Sequence, residues 1–395
     1  MSRILVTGIG IISSIGSNAD ENHRSLRQEK AGLGAASFLS SKYTSQLPFG
    51  EVKKSNATLQ QELQAFEKGV TRTSLLALHA FNEAVYDAAI SPAVLNDPQT
   101  CLISASTVGG MCLTDELYHD ANKHEDPSEY VGSYDCASIA LYLQKRFGLS
   151  GIINTINTAC SSSANSVMYG ARLMQQGFAG RAIVGGADSL AKFTINGFNA
   201  LHILSDELCR PFDINRKGLN LGEGAAFLVL EKEEDIAGKK VYGELTGYAN
   251  TNDAFHASSL SDNGEGPYLS MKLALEKAGL QPGDIDYINA HGTGTENNDE
   301  VESRAMMRLF ESVPDFASTK SYTGHTLGAA GAVEAVYSLL SLQHQELYKG
   351  LQFEEAIPST GLIPVSATSK KELKHVMSNS FGFGGNCSTL IFSKA

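Results

Sequence analysis

The chain has 395 residues, of which 42% are hydrophobic and 19% are charged. This length exceeds what one ordinary core organises, so we expect two or three packed domains or one fold built from two halves. A small stapled module and a disordered chain are both excluded. The formal net charge of −12 has the wrong sign for gripping nucleic acid or an anionic membrane over a broad surface.

The first sixteen residues, MSRILVTGIGIISSIG, resemble a short secretory signal in hydropathy only. Thr7, Gly8 and Gly10 interrupt the apolar run, and no small-x-small cleavage site follows. The same glycines suggest a nucleotide-binding fingerprint, but Ser13 occupies its last position and no clear acidic ribose partner follows. We therefore expect neither a signal peptide nor a dinucleotide cofactor.

The six cysteines form neither a CxxC pair nor a Cys/His cluster at zinc spacing. A disulfide framework and a metal site are therefore disfavoured, and a reducing, cytoplasmic setting is favoured. No run of about eighteen apolar residues occurs in the sequence, so we expect no helix that spans a membrane.

Hydrophobic periodicity predicts alternating strands and helices along the first part of the chain. Short apolar runs predict strands buried on both faces at residues 3–7, 100–105, 152–156, 181–187 and 225–230. Apolar residues that recur at steps of three and four positions predict helices at 73–89, 138–147 and 164–176. This alternation predicts an α/β fold with a largely parallel sheet covered by helices.

The charged stretch 231–240 is the best candidate for a domain boundary, because nothing in it requires burial. The alternation then restarts. It predicts a strand from residue 241, a helix at 268–278, a strand at 285–290, and helices at 299–310 and 330–342. We therefore predict two similar halves, residues 1–238 and 239–395.

Two turns of similar composition, 157–164 and 323–330, each lead into a helix whose first turn consists of small residues. The first presents Cys160 and the second presents His325. Unpaired N–H groups at a helix N-terminus favour a thiolate, so Cys160 is predicted to be a nucleophile whose pKa lies near neutrality. Taken alone, a single cysteine is more often a small buried hydrophobic residue.

His291 follows an apolar strand, and His325 is predicted to follow another. Ligands bind outside the carboxyl ends of strands in open α/β sheets, so these histidines and Cys160 form a candidate constellation. A thiolate can accept an acyl group from a thioester. Two neutral imidazoles can donate N–H bonds to a thioester oxygen while a neighbouring carboxylate leaves as CO₂.

Six motifs carry a resemblance to a known family. In chain order they are NTACSSSAN, RPFDINRKG, LGEGAAFLVLE, NAHGTGTENND, KSYTGHTLGAAGAVEA and NSFGFGGN. They resemble the 3-oxoacyl-[acyl-carrier-protein] synthases, condensing enzymes of the thiolase fold, over nearly the whole chain. The resemblance implies a duplicated five-layer α/β/α/β/α architecture, usually dimeric, with the active site between the halves. It also implies decarboxylative condensation of an acyl thioester with malonyl-[acyl-carrier-protein], without an external cofactor.

The resemblance also implies roles for five residues. Cys160 matches the acyl-accepting nucleophile. His291 and His325 match the paired histidines of decarboxylation and carbanion stabilisation. Lys320 matches the lysine that supports this arrangement, and Glu334 matches the carboxylate near that lysine.

Further residues match the substrate-binding positions of the family. The backbone N–H groups of Cys160 and Phe383 match the oxyanion hole, and Phe383 matches the gating aromatic residue. Thr293 and Thr295 match the hydroxyls that hold the phosphopantetheine arm of the carrier protein. Val108 matches an acyl-pocket position that often carries isoleucine. The shorter side chain predicts a pocket for medium, long or polyene-like chains.

The expected partners are an acyl carrier protein and a second ketosynthase subunit, in a homodimer or a heterodimer. Lys68 and Arg72 are a candidate basic patch for the acidic carrier protein, because His202 stands where the family often has a basic residue. Two further departures bear on substrate selection. After the GFGG loop, this chain has Asn386-Cys387 where the family usually has Thr-Asn. After the RPFD motif, it has Lys217-Gly218-Leu219 where the family usually has Asp-Gly-Phe.

Two alternative functions stay open at this point. A thiolase would need a second cysteine near the C-terminal glycine loop, and Cys387 lies there. A non-catalytic partner that sets chain length in a heterodimer typically lacks the nucleophile, whereas Cys160 is present. The two histidines and Lys320 fit a decarboxylative synthase better than either alternative.

Overall fold

The computed structural model describes residues 2–123, 125, 126, 128 and 130–395. Its strands are β1 (Ile4–Ser13), β2 (Thr100–Ala105), β3 (Ile153–Ile156), β4 (Arg181–Asp188), β5 (Gly224–Lys232), β6 (Gly243–Asn252), β7 (Tyr287–Asn289), β8 (Asp315–Ala317), β9 (Glu346–Leu347), β10 (Ser369–Lys370), β11 (His375–Phe381) and β12 (Asn386–Ser393).

The helices follow the same chain order. They are α1 (Ala19–Arg27), α2 (Asn56–Leu63), α3 (Arg72–Asp87), α4 (Pro92–Leu95), α5 (Thr114–Ala121), α6 (Ser138–Phe147), α7 (Ser162–Gln175), α8 (Lys192–Ala200), α9 (Glu265–Ala278), α10 (Glu296–Leu309), α11 (Lys320–Thr323) and α12 (Ala330–His344). None of the helices in the described part of the chain has both the length and the apolar character needed to cross a bilayer.

The strand order shows the duplication. Ten strands pair in the order β3-β2-β4-β5-β1-β6-β12-β11-β7-β8. We number the five sheet strands of each half from 1 in chain order and leave out β9 and β10, which pair with each other. Read inward from its outer edge, β3 for the first half and β8 for the second, each half then has the order 3-2-4-5-1. The first strands of the two halves, β1 and β6, pair only at Leu5 and Val6. The repeated pattern of the sequence therefore corresponds to a repeated topology.

The strand directions correct one expectation. Among the described residues, the ten strands form five antiparallel pairings and four parallel ones. The prediction of a largely parallel sheet was therefore wrong. An apolar run reports burial on both faces of a strand, and it contains no information about the direction of the neighbouring strand.

The helices arrange the fold in five layers. Helix α3 covers one face of the first half, and α9 and α10 cover the opposite outer face of the second half. Between the halves, α7 and α12 pack against each other and against strands of both halves. The expected α/β/α/β/α thiolase-like architecture is confirmed. The two inner helices are those that follow the predicted turns of Cys160 and His325.

The glycine pair near the N-terminus has a packing role. A Cβ atom on Gly10 would lie 2.0 Å from the carbonyl oxygen of Ala80, and one on Gly8 would lie 2.5 Å from that of Ala84. Both glycines therefore let helix α3 approach strand β1 closely. The whole segment from Ile4 to Ser13 is buried strand, well beyond the predicted end at residue 7.

Candidate active site

The first half supplies Cys160 from the turn between β3 and α7. Ala159 adopts a left-handed conformation with φ of 53°, which turns the chain sharply just before the cysteine. The Oγ of Ser162 accepts from the N–H of Thr158 and donates to the carbonyl of Ala159, which fixes this turn. Cys160 is 6% exposed, and its remaining accessible surface faces a cavity.

The second half supplies His291 two residues after β7. The N–H groups of His291 and Gly292 both donate to the carboxylate of Glu302 on α10, at 2.9 Å each. Asp299, one turn earlier on the same helix, accepts from the N–H of Gly294. Two buried carboxylates therefore hold the backbone that carries this histidine.

His325 has a different local setting from the predicted one. The short helix α11 separates it from β8, so it does not directly follow a strand. Its N–H donates to the carbonyl of Asn220 at 2.7 Å, and its own carbonyl accepts from the N–H of Gly222 at 2.9 Å. These backbone bonds to the first half fix its position.

The cysteine and the two histidines line one cavity of about 440 Å³. The imidazole centroids of His291 and His325 are 5.5 Å apart, and their planes are nearly perpendicular at 85°. The two halves both contribute to the walls, with Phe198 and Leu219 from the first half. The structure therefore brings the three reactive side chains to one chamber.

Lys320 lies behind His291, away from the cavity lining. Its Nζ donates to the carbonyl oxygen of His291 at 2.5 Å and lies 3.3 Å from the Nδ1 of the same residue. It also pairs with the Oε1 of Glu334, and both partners are buried. Because an ammonium group only donates, Nδ1 of His291 accepts, and the ring proton of the neutral imidazole lies on Nε2.

Burial sets the protonation states in this chamber. The pKa values of His291 and His325 are both well below the ordinary value, mainly because of burial and further because of the charge of Lys320. Burial also raises the pKa of Glu334 to about 7, against the opposing effect of Lys320. Both imidazoles are therefore neutral at pH 7 and can act as N–H donors.

The thiol departs from its predicted state. Burial raises the pKa of Cys160 to about 11, although Lys320 and a hydrogen bond from the N–H of Phe383 lower it. The prediction of a pKa near neutrality was therefore wrong. The prediction considered only the favourable effect of the helix N-terminus on the thiolate. It left out the desolvation of the sulfur, which arises because residues of both halves bury it.

The GFGG loop between β11 and β12 forms another wall of the chamber. Phe383 is half-buried, and its ring stacks on that of Phe198 with centroids 5.7 Å apart. A Cβ atom on Gly382 would lie 2.6 Å from the carbonyl oxygen of Thr158 and 3.2 Å from the nitrogen of Cys160. The loop therefore lies directly against the turn that carries the cysteine.

The remaining predicted residues divide into two groups. Thr293 and Thr295 line the cavity, and their hydroxyl oxygens are 2.8 Å apart. Val108 is buried in a separate apolar cluster with Leu190 and Leu327, and it does not line this cavity.

Arg72, which together with Lys68 forms the predicted basic patch, is not available as expected. The guanidinium of Arg72 is bound to both carboxylate oxygens of buried Glu223, and the side chain is only 11% exposed. At the mouth of the cavity, Lys217 pairs with Glu207 at 2.6 Å, and His202 contributes to the lining. Arg72 was predicted as a docking residue from its charge alone, and the sequence gives no sign that it pairs with the buried Glu223.

Two buried acids were missed by the sequence reasoning. Asp188 accepts hydrogen bonds from Ser106, Thr107, Val108 and Gly328, and it thereby ties the loop after β2 to the turn after His325. Glu302 anchors the backbone of His291, as described above. A signal was present for Asp188, a charged residue at the end of an otherwise buried apolar strand, whereas Glu302 lies among the polar residues of α10 and gave none.

A third missed residue is Asn386. Its side chain contacts the turn of Cys160. The sequence showed it only as a departure from a family pattern.

In the described part of the chain, no cluster of three or more histidine, cysteine or acidic side chains is arranged to hold a metal ion. Metal ligands of these types normally converge in such clusters. The lining of the chamber includes the thiol of Cys160 and the two neutral imidazoles of His291 and His325.

Comparison with known proteins identifies the family. The models of the beta-ketoacyl synthase N-terminal and C-terminal domains match residues 1–236 and 242–354. The chain is 32% identical to 3-oxoacyl-[acyl-carrier-protein] synthase 1 of Escherichia coli strain K12, over 100% of this chain and 99% of that protein.

Two solved structures are also similar over the full length of the chain. The ishigamide ketosynthase/chain length factor has a TM-score of 0.93 at 28% identity, covering 100% of this chain and 99% of that one. A type II PKS ketosynthase in complex with its acyl-carrier protein, AntDE:AntF, has a TM-score of 0.87 at 26% identity, covering 100% of both chains. The chain belongs to the beta-ketoacyl synthase family.

Proposed function

We propose that this protein is an acyltransferase, a 3-oxoacyl-[acyl-carrier-protein] synthase. It joins an acyl thioester to malonyl-[acyl-carrier-protein] with loss of CO₂, in chain elongation of the fatty acid, polyene or polyketide type. The observation that carries the proposal is the single chamber that Cys160, His291 and His325 line together. Family membership and the full-length match to a synthase of this name support it.

In the first step, Cys160 takes the acyl group from the carrier protein. Its Sγ attacks the thioester carbonyl, the carbon–sulfur bond to the carrier breaks, and the thiol proton goes to the departing carrier thiolate. The N–H of Phe383 favours the thiolate form of Cys160, and together with the N–H of Cys160 it holds the developing oxyanion. A neutral thiol in the resting site is consistent with this balance.

In the second step, the malonyl group loses CO₂ beside the two imidazoles. The carbon–carbon bond to the carboxylate breaks, and the electron pair forms the enolate of the carrier thioester. The Nε2–H of His291 and an N–H of His325 donate to its oxygen, since both rings are neutral. Lys320 positions His291 through Nδ1 and the backbone carbonyl, and Glu334 balances its charge.

In the third step, the enolate carbon attacks the carbonyl of the acyl-cysteine. The new carbon–carbon bond forms, the carbon–sulfur bond breaks, and Cys160 leaves as a thiolate that takes up a proton from solvent, which replaces the proton lost to the carrier thiol in the first step. The product is 3-oxoacyl-[acyl-carrier-protein]. None of the three steps transfers electrons to or from an external acceptor, so no cofactor enters the proposal.

The other predicted sites fit this scheme. Thr293 and Thr295 hold the phosphopantetheine arm, and Phe383 gates the chamber. Val108 does not line the chamber itself, and it limits the acyl pocket through the apolar cluster that it shares with Phe198 and Leu219, which do line the chamber. We divide the protein into halves at residues 1–238, which carry the nucleophile, and 239–395, which carry the two histidines. A cytoplasmic location accords with the six cysteines, which are free in the structure.

The proposed partners are an acyl carrier protein and a second ketosynthase subunit. The similar structures include a ketosynthase/chain length factor and a ketosynthase bound to its acyl-carrier protein, which supports both kinds of partner. A homodimer and a heterodimer both fit. The presence of Cys160 in the chamber favours a catalytic subunit over a chain-length-determining one.

A thiolase is disfavoured by the position of its required second cysteine. Cys387 is fully buried, donates to the carbonyl of Gly385, and does not line the cavity with Cys160. Burial raises its pKa further above the ordinary range. A base for substrate deprotonation must reach the substrate, and Cys387 does not.

Mass spectrometry after incubation with acyl-[acyl-carrier-protein] tests the function. We expect an acyl adduct on Cys160, and condensation product when malonyl-[acyl-carrier-protein] is added. Cys160→Ala should abolish both while malonyl decarboxylation continues, whereas His291→Ala or His325→Ala should suppress CO₂ release. The absence of any adduct on the wild-type protein would favour the partner-subunit alternative.

The preference for medium, long or polyene-like chains is tested with acyl thioesters of increasing length. Condensation should persist in the longer members of the series, because Val108 leaves more room than isoleucine. Activity confined to short acids would refute this assignment.

A further inference from the structure

We propose that Asn386 is a positioning residue that holds the backbone N–H of Phe383 in register with Cys160. This rests on the proposed function, because it assigns Asn386 a part in acyl transfer to that cysteine. The residue is a departure from the family pattern, which usually has threonine at this position. Its contacts link the gating loop of the second half, which is the GFGG loop at residues 382–385, to the nucleophile turn of the first half, which carries Cys160.

The side-chain oxygen of Asn386 lies at a meeting point of both halves. It accepts from the Oγ of Ser161 at 2.7 Å and from the Nδ2 of Asn165 at 2.9 Å. From the second half it accepts from the Nδ2 of Asn250 at 2.7 Å, and its own Nδ2 faces the Oδ1 of Asn250 at 3.3 Å. One amide therefore joins the residue after Cys160 to strand β6.

The same residue fixes the gating loop through its backbone. The N–H of Gly382 donates to the carbonyl of Asn386 at 2.7 Å, which closes the turn that contains Phe383. Asn386 is also the first residue of β12. The side chain and the backbone of this one residue therefore connect the Phe383 turn with the Cys160 turn.

The geometry of acyl transfer requires this connection. The two N–H donors of the proposed oxyanion hole, those of Cys160 and Phe383, belong to segments that are far apart in the chain. Such donors act only when they lie at hydrogen-bond distance from the position of the oxyanion. A displacement of about 1 Å of one segment relative to the other costs a large factor in rate.

Decarboxylation does not depend on this register. Its donors are His291 and His325, which Glu302, Lys320 and the backbone at Asn220 hold in place. None of these contacts involves Asn386. Loss of the asparagine should therefore slow acyl transfer selectively.

The test uses Asn386→Leu, which keeps the approximate size and removes the acceptor. We expect the single-turnover rate of Cys160 acylation by acyl-[acyl-carrier-protein] to fall about 10- to 100-fold. Malonyl decarboxylation, measured as CO₂ release without an acyl donor, should stay within about threefold of the wild type. Asn386→Asp keeps the oxygen that accepts from Ser161 and Asn165 but loses the donor to the Oδ1 of Asn250, so it should retain more of the acylation rate than Asn386→Leu.

The matched control is Cys387→Ala, which alters the packing of the same strand without touching the nucleophile turn. It should leave the ratio of acylation to decarboxylation unchanged. Equal losses of both reactions in Asn386→Leu, or an unchanged acylation rate, would overturn the proposal. Absence of acylation in the wild-type protein would instead contradict the proposed function itself.

Discussion

Lys320 contacts His291 at two atoms, with Nζ 2.5 Å from the backbone carbonyl oxygen and 3.3 Å from the ring Nδ1. The double contact fixes both the orientation and the tautomer of the imidazole. The same ammonium group pairs with the carboxylate of Glu334, and both are buried. The charges of this pair are therefore held away from water directly behind a group proposed to be catalytic.

Replacement of Lys320 by methionine should destabilise the protein by about 3 to 5 kcal/mol, because it leaves the carboxylate of Glu334 buried without a partner. Without Lys320, the pKa of Glu334 should rise above its value of about 7. A raised folded-state pKa means that the stability present at low pH is lost as the pH rises through that value. Urea unfolding should therefore show a larger deficit at pH 8 than at pH 6.

The double variant Lys320→Met with Glu334→Gln should recover part of the lost free energy of unfolding, since no buried charge remains. As a control, Lys272→Met removes an exposed lysine that lies 3.9 Å from Glu276, and it should cost no more than about 0.5 kcal/mol. A deficit in Lys320→Met as small as that of the control would contradict the buried-charge account.

Replacement of His325 by asparagine should weaken the dependence of stability on pH. Burial, and next the charge of Lys320, hold the pKa of His325 well below its usual value, so the folded protein binds fewer protons than the unfolded chain below about pH 6.5. Stability from this source is present above the unfolded pKa and is lost as the pH falls.

The measurement is urea unfolding at pH 7 and pH 5.5. The wild type should lose more free energy of unfolding between these values than His325→Asn does. The carboxyl groups of Glu83, Glu302 and Glu334, whose pKa values burial raises to about 7, act in the opposite direction in both proteins. Parallel pH profiles would show that the imidazole is not held in its neutral form.

Replacement of Thr293 by valine should weaken binding of carrier-linked substrates. The hydroxyl lies in the chamber beside that of Thr295, and loss of one hydrogen bond raises KM by about 5- to 10-fold. Because this contact exists before and during the reaction, kcat for decarboxylation should change by less than about twofold. Thr293→Ser, which keeps the hydroxyl, serves as the control. A fall in kcat with unchanged KM would assign Thr293 another role.

Replacement of Gly331 by alanine should separate the two inner helices. A Cβ atom there would lie 2.6 Å from the backbone nitrogen of Ala164, so α7 and α12 would have to move apart. We expect a loss of about 1 to 3 kcal/mol in thermal or chemical unfolding. Condensation should fall as well, since Cys160 and His325 precede these helices.

Gly197 provides the matched control for that substitution. It lies in helix α8. Apart from its chain neighbours and the backbone of that helix, no described atom lies within 4 Å of the place where a Cβ atom would be added. Gly197→Ala should leave stability unchanged or raise it slightly, because alanine is the better helix former. Equal destabilisation of both variants would remove the packing argument.

The sequence alone predicted the two α/β halves, the helices around the sheet, and the three reactive residues. It could do so because these features are local. Strands and helices have short periods, and Cys160 and His291 lie in turns that directly follow or precede such elements. The motifs around them are contiguous, so the family resemblance was visible as well.

The tertiary structure decided what depends on residues distant in the chain. The direction of each strand depends on its neighbour, and Arg72 is withdrawn from the surface because Glu223 lies buried beside it. The pKa of Cys160 depends on burial by both halves, and desolvation outweighs the favourable effects of Lys320 and the Phe383 N–H. Asn386 contacts Ser161 across 225 positions of sequence. The burial of these groups and the contacts between them form only when distant segments of the chain come together. A local sequence pattern therefore cannot predict their free energies.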